Sequence, residues 1–483
     1  MIGDIFQPNK LIEGIEGHVT VEIRDETTGK LQAREETHNF ISLSATRYLR
    51  WVQRNALFKL DMKAFEGSTP TGALDKDYQE PDVSTHIALT SLTDDNSTAG
   101  SEWTMYGKLI GYSNKTIYNQ TGDPLLGSPQ IGISPEVLCE TNASYTKWTF
   151  DWDGLSANGT IGSVGWVGGV ASLATTSLPG ASAARFYISS SLEESKATST
   201  GSFQRIAKRD NNTYYLTLGA NTSIYQYDQN LTQVGSGPIF SVGGQFKAST
   251  TLGGIAWDRT NNRLWVIGLD TASTPKKIIA AYDPSSSTPG TPVAGPFVIS
   301  NSTPTYLSLT HDGTNLWTLG SISNNAFTMY RINPSDGVVA SSIPITLPYY
   351  DWSGGGGSGE SAYGISYEPT KGYLYVATWA YFSTTTGGTP STPNSAVRAF
   401  DLSGNEAMVP VSMRYWIKGP SPSRGFLGQT DFEMIDPWRL LAPDGATIKR
   451  ILLDGMGSRA PLSSAVTKSS GQTLRITYQM TYV

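Results

Sequence analysis

The chain has 483 residues and a mass of 52.0 kDa, enough for two to four domains at roughly 150 residues each. Its 35 Lys and Arg against 41 Asp and Glu leave a formal charge of −6, which excludes a protein that coats nucleic acid through a basic excess. Apolar residues at 38% are too many for a disordered chain, and 50 Gly with 26 Pro are too many for a helical bundle, so a turn-rich, mainly β protein remains.

The N-terminal run MIGDIFQPNKLIEG carries acidic residues and no long apolar stretch. No secretory signal is expected there, and no 18-residue apolar run anywhere predicts insertion in a membrane. Synthesis in a cytoplasm follows as an expectation, so the N-x-[ST] sequons at Asn96, Asn114, Asn142, Asn158, Asn221 and Asn301 read as unmodified loops. Cys139 is the single cysteine, and it can close no intrachain disulfide.

His18 to Glu36 alternates Val19, Val21 and Ile23 with polar residues around a Gly29-containing turn, the pattern of a β-hairpin with one buried face. Ser44 to Leu60 repeats Tyr48, Leu49, Val52, Ala56 and Leu57 at three- and four-residue steps. That spacing predicts an amphipathic helix with Ser44 as N-cap. Residues 61 to 84 read as a loop. Strands resume at Thr85, and Trp148, Phe150 and Trp152 alternate ahead of the Ala157-Asn158-Gly159 turn, with Ile161, Val164 and Trp166 beyond it. The last strand alternates Leu474, Ile476, Tyr478, Met480 and Tyr482 with polar residues, and needs the N-terminal strands as partner.

Between these lie four related copies, IAKRDNNTYYLTLG from Ile206, IAWDRTNNRLWVIG from Ile255, LSLTHDGTNLWTLG from Leu307 and ISYEPTKGYLYVAT from Ile365. Their period of about fifty is that of a repeat architecture. Asn-Asn, Asp-Gly and Lys-Gly pairs mark tight turns, so each copy reads as a four-stranded blade. The copies resemble β-propellers whose blades carry a D-G-T-N-L-W-like turn, here Asp312 to Trp317. Four blades are visible, and residues 170–200 or 411–440 could supply a fifth. The expected layout is a docking domain over 1–175, an inserted propeller over 176–415, and a return segment over 416–483 that completes the first domain.

The aligned Tyr215, Trp265, Trp317 and Tyr375, with Trp257, read as packing between blades rather than a sugar platform, because they recur in every copy. Ligand contact is expected instead from aromatics in the long insertions, Tyr349, Tyr350, Trp352, Trp379 and Tyr381. Asp94-Asp95-Asn96 and Asp151 with Asp153 are oxygen-rich, but turn formation explains them and EF-hand spacing is absent. The four His, at positions 18, 38, 86 and 311, are too scattered for a metal site. The phosphate-loop, nucleophile-elbow and dinucleotide motifs are missing, and the propeller arginines, Arg205, Arg209, Arg259, Arg263, Arg331 and Arg398, show no sialidase-like grouping. No catalytic residue, cofactor or metal is assigned, and the expectation is a protein that is not an enzyme.

Three fragments resemble bacteriophage tail and virion-appendage proteins: the hairpin Val19 to Lys30 with Glu36 to Phe40, the strand Ile87 to Thr90 with Trp148 to Gly165, and the closing strand Thr473 to Thr481. The resemblance implies a β-sandwich-like docking domain split by an inserted four- or five-bladed propeller. It further implies a virion structural protein forming a symmetric homo-oligomer on other tail, neck or baseplate proteins, with the propeller turned toward a host-surface glycan. The alternatives are a purely architectural decoration protein of head or neck, or a tail-associated depolymerase, which should present a carboxylate pair at one propeller mouth.

Overall fold

The computed structural model describes residues 15–38, 40–41, 86–92, 107–114, 124–130, 140–141, 144–167, 169–171, 186–189, 191–197, 203–219, 221–247, 252–323, 326–346, 361–382, 392–409, 411–412, 431–444, 446–453 and 456–482. The expected helix from Ser44 to Leu60 and the loop over 61–84 lie outside them. The chain divides into two compact units. One holds Met1–Ser189, Tyr415–Pro420 and Asp454–Val483, the other Ser190–Arg414 and Ser421–Leu453.

The first unit is built of two antiparallel sheets. In one, the order is Leu31–His38, Ile15–Asp25, Gln472–Tyr482, Tyr145–Trp152 and Ser128–Pro129, with Glu140–Thr141 also beside Tyr145–Trp152. The C-terminal strand lies in its middle, paired from Ile15↔Tyr482 to Asp25↔Gln472 on one side and with Tyr145–Trp152 on the other. The second sheet runs Phe40–Ile41, Met456–Lys468, Gly159–Val167, His86–Thr90 and Leu109–Asn114. Period-two alternation sends Val19, Val21, Ile23, Phe150, Trp152, Leu474, Ile476 and Tyr478 inward. There they join Ile87, Leu89, Ile161, Val164 and Trp166 of the second sheet in one core. Each aliphatic side chain so buried contributes about 1.5–3 kcal/mol. Opposite faces stay polar, as in the bidentate pair Arg475–Asp151 at 2.8 Å.

The second unit is a ring of antiparallel sheets, to each of which it contributes four strands. Blade 1 is Phe203–Asp210, Thr213–Leu218, Ser223–Asp228 and Phe240–Ser241; blade 2 is Gly254–Asp258, Arg263–Leu269, Lys277–Tyr282 and Pro292–Val298. Blade 3 is Thr305–His311, Leu316–Ser323, Ala326–Ile332 and Val339–Thr346, and blade 4 is Ser361–Glu368, Tyr373–Phe382, Thr392–Phe400 and Val411–Ser412. A further blade is assembled from Glu433–Asp436, Arg439–Asp444 and Thr447–Leu452, with Ser191–Ala197 as its outermost strand. The first strand of each blade touches that of the next, and the strand of blade 5 touches that of blade 1. The ring therefore closes with five blades. Its last blade joins the start of the unit to its end, so the propeller runs on to Leu452 where the repeat pattern alone stops it at 415.

The repeat has a physical basis in two sets of turns. At the end of each inner strand an acid accepts hydrogen bonds from the backbone of the following turn: Asp210 from Asn212, Asp258 from Thr260 and Asn261, Asp312 from Thr314 and Asn315, Glu368 from Thr370 and Lys371, Asp436 from Trp438. Asp228, Asp283, Asn333 and Asp401 do the same at the next turn of blades 1 to 4. Asn262 and Gly372 hold the positive φ of +50° and +72° that these turns require. The aligned Tyr215, Trp265, Trp317 and Tyr375 are all buried, as is Trp257. The indole of Trp317 donates to Asp312 at 2.7 Å and that of Trp265 to Asp258 at 3.4 Å, so these two tryptophans both pack and tie their blades to their own turns, while the Tyr375 hydroxyl donates to Pro437 O of blade 5.

Candidate functional site

The residue paired with the repeat aromatic on the neighbouring inner strand is Ala207 opposite Tyr215, Ala256 opposite Trp265, Thr310 opposite Trp317 and Ser366 opposite Tyr375. In blade 5 the equivalent pair is Glu433 and Leu441. A position that is small or hydroxylic in four blades thus holds a carboxylate in the fifth, and two residues earlier stands Asp431.

Both acids reach across the ring. Asp431 accepts 2.6 Å from Ser308 Oγ of blade 3 and 3.4 Å from the Ile206 amide of blade 1. Glu433 accepts 3.1 Å from Ser366 Oγ of blade 4, and that same Oγ accepts from Met434 N at 2.9 Å. Burial pushes Asp431 up to about 7 against the pull of Arg205, and pushes Glu433 up to about 7 against the pull of Arg259. Arg205 is itself buried and donates Nε to Leu252 O at 2.9 Å.

Glu433 remains 8% exposed where Asp431 is 1% exposed, and it lines a pocket of about 70 Å³. The walls come from the ends of four other inner strands and the turns beyond them: Lys208; Trp257 and Arg259; His311 and Asp312; Tyr367. The volume holds several ordered waters or the edge of a ligand, and is too small to swallow a drug-sized molecule. Lys208 donates to Ile435 O, and burial lowers its pKa. For Asp312 burial works upward, but the Asn315 amide, the Trp317 indole and the Thr314 amide outweigh it and hold the carboxylate below its ordinary value. His311 is lowered by burial against the pull of Asp258 3.8 Å away, so it is neutral near pH 7 and the contact is no ion pair. One pocket therefore holds a carboxyl poised to keep a proton and another poised to shed it.

Of the loop aromatics expected to meet a ligand, Tyr349, Tyr350 and Trp352 lie outside the described residues. Trp379 and Tyr381 are not in a loop: they stand on the strand Tyr373–Phe382, opposite Ser395 and Pro393. Asp94, Asp95 and Asn96 also lie outside the described residues. Asp153 is taken up by the amides of Leu155 and Ser156 and Asp151 by Arg475, as turn and sheet roles demand. Of the propeller arginines, Arg263 pairs with Asp258 at 2.9 Å and Arg398 with Glu406 at 2.5 Å, while Arg259 faces the pocket. Sequence reasoning missed Glu433, Asp431 and Lys208; aligning a fifth repeat on Asp436 would have exposed the first two as acids at small-residue positions.

No family model and no curated protein matches the sequence. Solved structures similar to it are β-propeller-type proteins. The endo-arabinase of Bacteroides thetaiotaomicron VPI-5482 shares 16% identity over 58% of this chain and 99% of its own, with a TM-score of 0.34. A GH43 protein, BlXynB of Bacillus licheniformis, shares 12% over 57% of this chain and 60% of its own at 0.35. The WD40 propeller domain of Doa1 shares 9% over 54% and 96% at 0.28. The expectation that the protein is not an enzyme is corrected to this extent: the solved structures similar to it include glycoside hydrolases and an aldose sugar dehydrogenase of Streptomyces coelicolor. Asp312 and Glu433 line one pocket only because the ring closes, which no local spacing in the sequence records.

Proposed function

We propose that this protein is a glycan-cleaving appendage, with the chemistry at the propeller mouth and the two-sheet unit serving as a β-sandwich docking domain. The observation that carries the catalytic half is the pairing, in one pocket, of Glu433 raised to about 7 with Asp312 held low. Two carboxyl groups driven apart by their surroundings are the acid and base pattern of glycoside hydrolysis. Protonated Glu433 delivers its proton to the glycosidic oxygen as the anomeric C–O bond breaks, ionised Asp312 faces the positive charge that develops on the sugar ring, and a water adds to the anomeric carbon and releases its proton to solvent, leaving the new reducing end. Trp257 and Tyr367 line the same pocket. The docking half rests on the resemblance of Val19 to Lys30, Trp148 to Gly165 and Thr473 to Thr481 to phage appendage proteins, with the virion as its location and other particle proteins as partners.

The test is release of reducing ends from a panel of bacterial surface polysaccharides by the full chain. Wild type is expected to cleave at least one, and Glu433→Gln to lose activity by about 100-fold or more while keeping a cooperative melting transition. Full activity in Glu433→Gln overturns the catalytic assignment. Saturable binding without cleavage by wild type returns the propeller to an adhesive role.

A further inference from the structure

We infer that the mouth selects a glycan whose reacting sugar carries a carboxylate, seated against Arg259 and Lys208; this rests on the glycan reading of the same pocket. The cations and anions lining it are not equivalent. Asp312 spends its oxygens on the amides of Thr314 and Asn315, the Asn315 side chain and the Trp317 indole. Asp258, beneath it, spends its own on Thr260, Asn261 and Arg263. Glu368 is likewise held by the amides of Thr370 and Lys371. The acids are satisfied by their own turns, while Arg259 is exposed on the rim and Lys208 keeps donors beyond the one given to Ile435. A guanidinium fork beside aromatic walls suits a planar carboxylate on a sugar ring.

The same placement couples binding to the reacting proton. Glu433 is faced by Lys208 of blade 1, Arg259 of blade 2, His311 and Asp312 of blade 3, Ser366 of blade 4 and Asp431 of its own blade, while Glu368 and Asp436 act on Lys208. Arg259 is the largest influence opposing protonation of Glu433. A substrate carboxylate that engages Arg259 removes that opposition, so the anion that binds also keeps the acid protonated. By linkage the converse holds, and protonating Glu433 tightens the anion.

The experiment is calorimetric titration of the full chain with methyl glucuronoside and methyl glucoside at pH 6 and pH 8, beside the cleavage panel. The glucuronoside is expected to bind at least tenfold tighter than the glucoside and tighter at pH 6 than at pH 8. Arg259→Gln should lose at least tenfold of that affinity with an unchanged melting temperature, since its side chain is exposed, and Arg259→Lys should recover part of it. Equal binding of the two glycosides, or an unchanged affinity in Arg259→Gln, overturns the inference. Glu433-dependent cleavage confined to neutral glycans also overturns it while leaving the hydrolase standing. Arg259-dependent binding of the glucuronoside with no cleavage of any glycan sustains it and removes the hydrolase.

Discussion

Ser308 Oγ donates a 2.6 Å hydrogen bond to Asp431 Oδ1 across the ring, from the inner strand of blade 3 to that of blade 5, and accepts from Ile365 N of blade 4 at 3.2 Å. One hydroxyl thus ties three blades at the place where their backbones converge. Ser308→Ala leaves a buried amide and a buried carboxyl oxygen without this partner, which costs about 1–3 kcal/mol. Denaturant unfolding of the full chain should show the loss as a lowered midpoint at unchanged slope.

Close approach of the inner strands sets a second expectation. A Cβ on Gly254 would stand 2.4 Å from Leu309 N, a backbone atom of the next blade that cannot swing aside. Gly254→Ala should therefore destabilise by about 1–3 kcal/mol as an overpacked contact. Gly244, with open space around its Cβ direction and no positive φ, is the control, and Gly244→Ala should be close to neutral.

Ring closure makes the chain ends of the propeller inseparable. A fragment spanning 176–415 lacks Glu433–Leu452 and leaves the inner strands of blades 4 and 1 without the neighbour that joins them. It is expected to expose apolar surface and aggregate, whereas a fragment of 190–453 keeps all five blades. Size-exclusion chromatography and near-ultraviolet circular dichroism of the two fragments decide it.

The four contiguous blades were legible because each carries an acid-capped turn and an aromatic five or seven residues later, such as Asp312 with Trp317 and Asp258 with Trp265. Core positions followed from the same pattern, since a side chain repeated in every copy has a repeated neighbour. Blade 5 was legible only as an alternative, from 170–200 or from 411–440, for two reasons: Leu441 replaces the aromatic opposite Glu433, and its outer strand Ser191–Ala197 is remote in sequence from the other three. The site went with it, because Glu433 has meaning only beside Lys208, Arg259 and Asp312. Loop composition misplaced Trp379 and Tyr381, where a long β-branched and aromatic run from Tyr373 to Phe382 continues the strand instead.

Trp317→Phe separates the packing of the repeat aromatic from its hydrogen bond. The ring volume largely persists, but the 2.7 Å bond from Nε1 to Asp312 Oδ2 is lost. A bond to an ionised group contributes about 1.5–3 kcal/mol, and its removal also lets the Asp312 pKa rise toward the usual range. If Asp312 stabilises charge in the cleavage step, the acidic limb of the pH–rate profile moves to higher pH. A fall in stability with an unmoved profile would leave Asp312 as a turn cap alone.

Stability itself should depend on pH through Glu433. Its folded-state pKa, about 7, lies above the ordinary 4.5, so the folded protein holds the proton more tightly than the unfolded chain. The contribution is complete below about pH 4.5 and is lost as pH rises toward and through 7. Asp258 and Asp312 run the other way, because their lowered values favour the folded state above the ordinary carboxylate range and lose that advantage only in stronger acid. The melting temperature of wild type should therefore fall between pH 5 and pH 8. In Glu433→Gln, whose amide mimics the protonated acid toward Ser366, that fall should shrink. An identical slope in the two proteins would mean that Glu433 is ionised in the folded state throughout, and the proton it is assigned in catalysis would then have to come from elsewhere.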